Sequence, residues 1–163
     1  MISFKKDVLK FNGNYRGKVV SNTDPKSFGR IKVEIFGIFD NINFADIPWA
    51  VPAFPLSSGA GEGFGSFAVP EVDSFVWCFF ENGDVYQPVY FAEASDGIHG
   101  LPSERTTNYP NTKVLKTKNG ITVLINDKLG SEEVKIVHPT GAYIQIDSNG
   151  NIEVSGNRID LNP

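Results

Sequence analysis

The residues able to do chemistry in this chain are few and scattered. Glu62 lies in a glycine-rich loop close to Phe64. An apolar neighbour of that kind can hold a carboxyl protonated and make it the general acid of a glycosidase. The plainer reading of Glu62 is a solvated loop charge. Gly59, Gly61, Gly63 and Gly65 imitate a phosphate cradle, but no Lys-Ser or Lys-Thr follows them and no helix begins there. They read as a surface loop. His99 and His138 are the only histidines. They are far apart in sequence, and no cysteine pair accompanies them as a metal site would require. His138 reads as a histidine flanking the turn at Pro139, with an axial ion held by several copies as the alternative. Cys78 is the single cysteine, so no intramolecular disulfide can form and no oxidising compartment is needed. Inside Phe75-Val76-Trp77-Cys78-Phe79-Phe80 it reads as a small buried hydrophobe. The sequence therefore predicts no enzyme, no metal and no cofactor.

With chemistry so sparse, the elements carry the information, above all the last third. From Lys113 to Pro163 short alternating segments follow one another, punctuated by Asn119-Gly120, Thr140-Gly141, Asn149-Gly150 and Ser155-Gly156. Alternation with a period of two is the pattern of half-buried strands. The apolar set is Ile121, Val123 and Ile125 in the first rung, and Val134 and Ile136 in the second. Ile144 and Ile146 follow in the third, Ile152 and Val154 in the fourth, and Ile159 and Leu161 in the fifth. A slip of one residue exchanges the two faces, so the register is not fixed by pattern alone. A lone sheet of this kind leaves one face wet and two edges open. It is expected to pair with copies of itself, or to form half of an ordinary sandwich.

The upstream part is all-β in composition. The chain has 163 residues with 13 Phe, 16 Gly and 10 Pro, and a formal net charge of −4. The acidic balance runs against a nucleic-acid partner. Met1–Lys6 has no apolar core of a signal peptide and no run reaches transmembrane length, so a soluble protein made without a leader is expected. The chain divides into an N-terminal arm (1–14), an aromatic-rich β domain (15–94), a Pro- and Gly-rich linker (95–112) and the ladder (113–163). Within the β domain, five short strands are expected, at Tyr15–Val20, Gly29–Phe36, Ser66–Pro70, Ser74–Glu81 and Val85–Glu93, with a loop at 52–65 leading into the third. The only helical pattern, Asn41–Ala50, is broken by Pro48. Ile31, Val33 and Ile35 alternate as core residues, and so do Phe75, Trp77 and Phe79. Asn82-Gly83 is a strong hairpin signal, and Pro88 points to a sheet edge or bulge. A small Greek-key barrel of the OB type fits this order; a sandwich fits nearly as well.

Three blocks carry a family resemblance. Tyr15-Arg16-Gly17-Lys18-Val19, Asp24-Pro25 and Gly29-Arg30-Ile31-Lys32-Val33 form the first. Trp49-Ala50-Val51-Pro52 with Gly61-Glu62-Gly63-Phe64-Gly65-Ser66-Phe67-Ala68-Val69-Pro70 form the second. The third is Val76-Trp77, Phe80-Glu81-Asn82-Gly83-Asp84 and Gln87-Pro88-Val89-Tyr90. In this order they resemble the OB-fold domain of contractile-tail phage central spike proteins, a group that includes the T4-like tail lysozyme hub, baseplate assembly protein V and the VgrG proteins of type VI secretion. The resemblance implies an OB-fold collar followed by an intertwined triple-stranded β-helix or β-prism stem in a homotrimer. It implies a place in the virion, at the tail baseplate, with a tail hub protein above the collar and transient contact with the host cell envelope. Some relatives insert a lysozyme domain between collar and stem, and the 95–112 interval has no room for one. Others end in a His-x-His motif that binds iron at the tip. This chain ends Asn157-Arg158-Ile159-Asp160-Leu161-Asn162-Pro163 without that motif, so a PAAR-type tip protein is expected, or further chain. The rival reading is an OB module for single-stranded nucleic acid or carbohydrate, which would stack bases on exposed aromatics in a basic groove.

Overall fold

The computed structural model describes residues 10–55, 62–95 and 100–161. The chain forms two compact units, Met1–Gly100 and Leu101–Pro163. No helix among the described residues is long and apolar enough to cross a membrane.

Five strands of the first unit close into a barrel: β1 (Tyr15–Ser21), β2 (Ile31–Ile35), β3 (Trp49–Pro52), β4 (Phe75–Phe80) and β5 (Pro88–Glu93). Their order around the barrel is β1-β2-β3-β5-β4. Every pairing is antiparallel except β3 with β5, which is parallel. This closure and strand order are those of an OB-type Greek-key barrel and set aside the sandwich. Tight curvature needs local devices. Gly17 is one: a Cβ there would lie 2.5 Å from Val33 Cγ1 and 2.7 Å from the Glu34 carbonyl oxygen. Register shifts at Val19/Ser21 and at Trp77/Cys78 are the others, since a bulge bends a strand and increases its twist. Pro88 opens β5, where its missing N–H interrupts no run of ladder bonds.

Two expectations fail here for identifiable reasons. The third strand is Trp49–Pro52, whereas Ser66–Pro70 forms no strand and 41–48 forms turns. More important, Phe75, Trp77 and Phe79 are not core residues. The buried set of β4 is Val76, Cys78 and Phe80. Both faces of this strand are apolar, so alternation alone could not choose between them. The partner strand chooses: Val76 stands opposite Gly17 and Cys78 opposite Tyr15, which turns the smaller side chains into the tight interior. Ile31, Val33 and Ile35 are buried as expected, and join Val19, Phe39, Ile47, Ala50 and Tyr90 in one core.

The second unit is an antiparallel meander of β6 (Thr112–Lys116), β7 (Thr122–Asn126), β8 (Glu133–Val137), β9 (Tyr143–Ile146) and β10 (Ile152–Ser155). Sheet order follows sequence order, β10-β9-β8-β7-β6. The ladder begins earlier and ends earlier than its pattern suggests. Thr112–Lys116 is its first strand, while Arg158–Leu161 forms none and instead holds an Arg158–Asp160 ion pair of 2.9 Å. The later part of the expected linker belongs to this unit: Ser103–Thr106 makes a 3-10 turn, and Glu104 accepts a 2.6 Å hydrogen bond from Lys116 of β6. Each strand pairs with its sequence neighbour within the chain.

Candidate functional site

The strongest candidate site is a face of the second unit's sheet. Cross-strand pairing aligns Leu115 with Val123, Val123 with Ile136, Ile136 with Ile144, and Ile144 with Val154. A second row runs beside it through Ile125, Val134, Ile146 and Ile152. Residues of one parity along a strand share a face, so these two rows form one continuous aliphatic surface across all five strands. Within this unit the face is largely open: Val123 is half-buried and the other members are exposed, from 42% at Ile146 to 71% at Ile152. Lys113, opposite Ile125 at the β6 end, pairs with Asp127 at 2.9 Å. A contiguous exposed apolar patch spanning a whole sheet marks an interaction surface.

Eight of the expected stem residues, Val123, Ile125, Val134, Ile136, Ile144, Ile146, Ile152 and Val154, therefore lie together on this face. Ile121 precedes β7 with the same parity, and Ile159 and Leu161 lie beyond β10, all three exposed. Leu115 belongs to the rows and escaped the sequence reading. Its signal was the apolar pair Val114-Leu115 between Lys113 and Lys116, just ahead of the Asn119-Gly120 turn.

The opposite face is mixed: Val114, Leu124 and Val137 share it with Lys135, Tyr143, Gln145 and Glu153. Lys135 lies over the Tyr143 ring with its Nζ 4.4 Å from the centroid, and the Tyr143 hydroxyl donates to Glu153 Oε1. That carboxylate raises the Tyr143 pKa. Thr122 and Asn126 on this face are buried, so the aliphatic face is the more exposed of the two.

The barrel offers two further surfaces. On the β2–β3 side, Arg30 lies over the Phe28 and Trp49 rings at 5.8 and 5.4 Å, and Lys32 over Trp49 and Phe44 at 5.2 and 5.9 Å. Cations beside aromatics are what a nucleic-acid groove uses, yet here both are engaged inside the protein. Arg30 forms a 2.5 Å ion pair with Asp24, and Lys32 Nζ donates to the carbonyls of Phe44 and Ala45 at 2.8 and 2.7 Å. Asp24 also accepts from the backbone N–H groups of Lys26, Phe28 and Arg30. The Arg30 guanidinium, reinforced by these amides, holds its carboxyl well below the usual carboxylate range. On the β4–β5 side, Phe75, Trp77, Phe79 and Phe91 form a half-exposed aromatic stripe, with Arg16 stacked 4.9 Å over Phe75.

The chemistry candidates are not brought together. Glu62 and Phe64 are exposed. Gly59, Gly61 and His99 lie outside the described residues. His138 shares a 2.8 Å hydrogen bond with Thr140 Oγ1 in its turn. Burial pushes the Cys78 thiol up to about 12, where it is not a nucleophile at neutral pH.

The class these features define is a small OB-type barrel joined to a five-stranded β-meander. Residues 15–93, which are the barrel, match the family model of the type VI secretion system/phage-baseplate injector OB domain. That match supports a structural role in an injector baseplate. Among curated proteins none matches the chain significantly.

Proposed function

We propose that this protein is the central spike of a contractile phage tail baseplate or a related injection machine, acting as a structural needle without catalysis. The aliphatic face that crosses every strand of the second unit carries this reading. Next to an injector-type barrel, its natural cover is the same face of other copies, giving a homotrimer whose stem is a β-structure with the apolar rows around its axis. A tail hub protein seats the barrels, a PAAR-type tip protein completes the distal end, and contact with the host envelope is transient. The protein resides in the virion, at the baseplate, and binds neither cofactor nor nucleic acid.

The alternative OB-binding module is disfavoured because Arg30 and Lys32 are already engaged by Asp24 and by backbone carbonyls. Sedimentation equilibrium at micromolar concentration tests the reading. A particle of three times the 17.9 kDa chain mass is expected, and a stable monomer would overturn it. Binding of single-stranded DNA that weakens with salt would instead raise the alternative.

A further inference from the structure

The loop joining β2 to β3 shapes a groove on the barrel that the sheet face above does not involve. Its volume is about 370 Å³, and it lies between the 36–48 loop, the 81–87 turn and Phe11. Phe11, Ile38, Ile42, Pro48, Val85 and Tyr86 line it over a floor of buried Phe39, and Asp46 is the one charged lining residue. Each wall is held by its own bonds. The Ile38 and Phe39 N–H groups donate to Ile35 O at 3.0 and 2.8 Å. Gly37 N–H donates to Asp40 Oδ2 at 2.9 Å, and Ala45 N–H to Asn43 Oδ1 at 3.0 Å. From β2, Lys32 Nζ holds the Phe44 and Ala45 carbonyls. On the other wall Asp84 Oδ1 accepts from Tyr86 N–H at 3.0 Å. Phe11 is fixed by its N–H bond to Gly83 O at 3.0 Å and by its ring, 5.7 Å from that of Phe80. A Cβ on Gly83 would meet Asn12 Oδ1 at 2.9 Å and Lys10 Cβ at 3.0 Å, so this approach depends on glycine. The groove is therefore formed before anything enters it.

Large apolar side chains stand open along it: Ile42 is 44% exposed and Tyr86 79%. A pre-formed apolar recess with a polar group placed at its edge has the make-up of a binding site. Asp46 supplies that group. Among the described residues its carboxylate accepts no hydrogen bond and joins no ion pair. The other charges of the two walls have the same sign. Residues 36–48 carry Asp40 and Asp46, residues 81–87 carry Glu81 and Asp84, and neither segment contains Lys or Arg. Lys32 is taken up by two carbonyls beneath the loop, and Lys10 adjoins Phe11 in sequence. We propose that the groove docks a short basic segment of another protein. An aliphatic or aromatic side chain of that segment packs against Ile42 and Tyr86, and an adjacent Lys or Arg pairs with Asp46. The carboxylates select the sign, since like charge across an interface is repelled, and the same field turns away nucleic acid. An uncharged apolar molecule would leave Asp46 unanswered. The site belongs to the barrel alone and does not depend on how the second unit associates.

A displayed library of short random peptides, panned on the full-length protein, supplies the probe. Fluorescence anisotropy then measures the enriched peptide on the unsubstituted protein and on two variants. The expected consensus couples a large apolar residue to Lys or Arg. Ile42→Ser and Asp46→Lys both change exposed positions, and urea melts check that each is folded, so either one decides if the other is not. Ile42→Ser should weaken the peptide about tenfold or more. Asp46→Lys should weaken it comparably, and should prefer the same peptide with its Lys or Arg replaced by Glu. No enrichment, or an acidic consensus, overturns the proposal. So does a folded variant that leaves binding within about twofold, because the peptide then sits elsewhere. Enrichment that appears only on the full-length Phe4→Ser/Lys5→Glu/Lys6→Glu variant also overturns it, since the chain's own first residues would then be the occupant. A monomer that shows the expected pattern would end the trimeric reading and leave this one standing.

Discussion

Asp24 organises the connection between β1 and β2 from a single carboxylate. It accepts three backbone N–H groups and the Arg30 guanidinium, and these partners favour its charged form. Its folded pKa is depressed, so its contribution is present above the unfolded value, roughly 3.9, and is lost as pH falls through the folded value. Asp24→Asn should lower the thermal midpoint at pH 7. The gap to the unsubstituted protein should narrow steadily below about pH 4, as thermal melts across a pH series will record. A gap independent of pH would mean that charge is not the cause. Cys78 makes a second prediction at this scale. With its thiol pushed up to about 12 and its side chain inaccessible, iodoacetamide at pH 8 should leave the folded protein unlabelled and modify it only after denaturation. The sign for stability is opposite to that of Asp24. Above the unfolded thiol's roughly 8.5, only the unfolded chain releases the proton, so stability falls as pH rises.

At the scale of elements, β4 separates what the residues dictate from what their neighbours decide. Trp77→Ala should leave the barrel folded with a loss of under about 1 kcal/mol, whereas Phe80→Ala should cost about 3–5 kcal/mol. Urea melts of the two variants will rank them, and the reverse ranking would put the aromatic stripe inside. Gly17→Val tests the tight crossing, because its Cβ meets Val33 and the Glu34 carbonyl well inside contact distance. Overpacking of this kind costs about 1–3 kcal/mol. Much of the architecture was legible: β2 announced its faces through Ile31, Val33 and Ile35 set between polar residues, and Asn119-Gly120, Thr140-Gly141 and Asn149-Gly150 marked real turns. What was not legible has a common cause. Phe75–Phe80 is apolar on both sides, so its orientation depended on Gly17 in a distant strand. Trp49–Pro52 is too short for periodicity to register, and its strand state comes from partners in β2 and β5. Arg158–Leu161 keeps the alternation of a strand but finds no neighbour beyond β10.

For the whole molecule, the candidate face was readable residue by residue, while its exposure was not. Periodicity identifies which side chains share a face and is silent on what lies over it. Ile144→Asp should prevent the copies from associating, since each inward charge must be desolvated near its equivalents. Gln145→Asp, one residue along and on the opposite face, should leave the particle mass unchanged. Size-exclusion chromatography with light scattering reads both. A trimer that survives Ile144→Asp with undiminished heat resistance would place that row outward.

The meander has an odd number of strands, and this fixes where the chain enters and leaves. β6 and β10 run in the same direction, so the polypeptide starts at one lateral margin of the sheet and departs from the other. Each strand adds about 4.8 Å of height. Growth by one strand would move the exit to the opposite margin, whereas growth by a hairpin preserves both the exit and the alternation of faces. The length of such a sheet can therefore change only in paired steps of about 10 Å if the chain after Ser155 is to leave from the same margin.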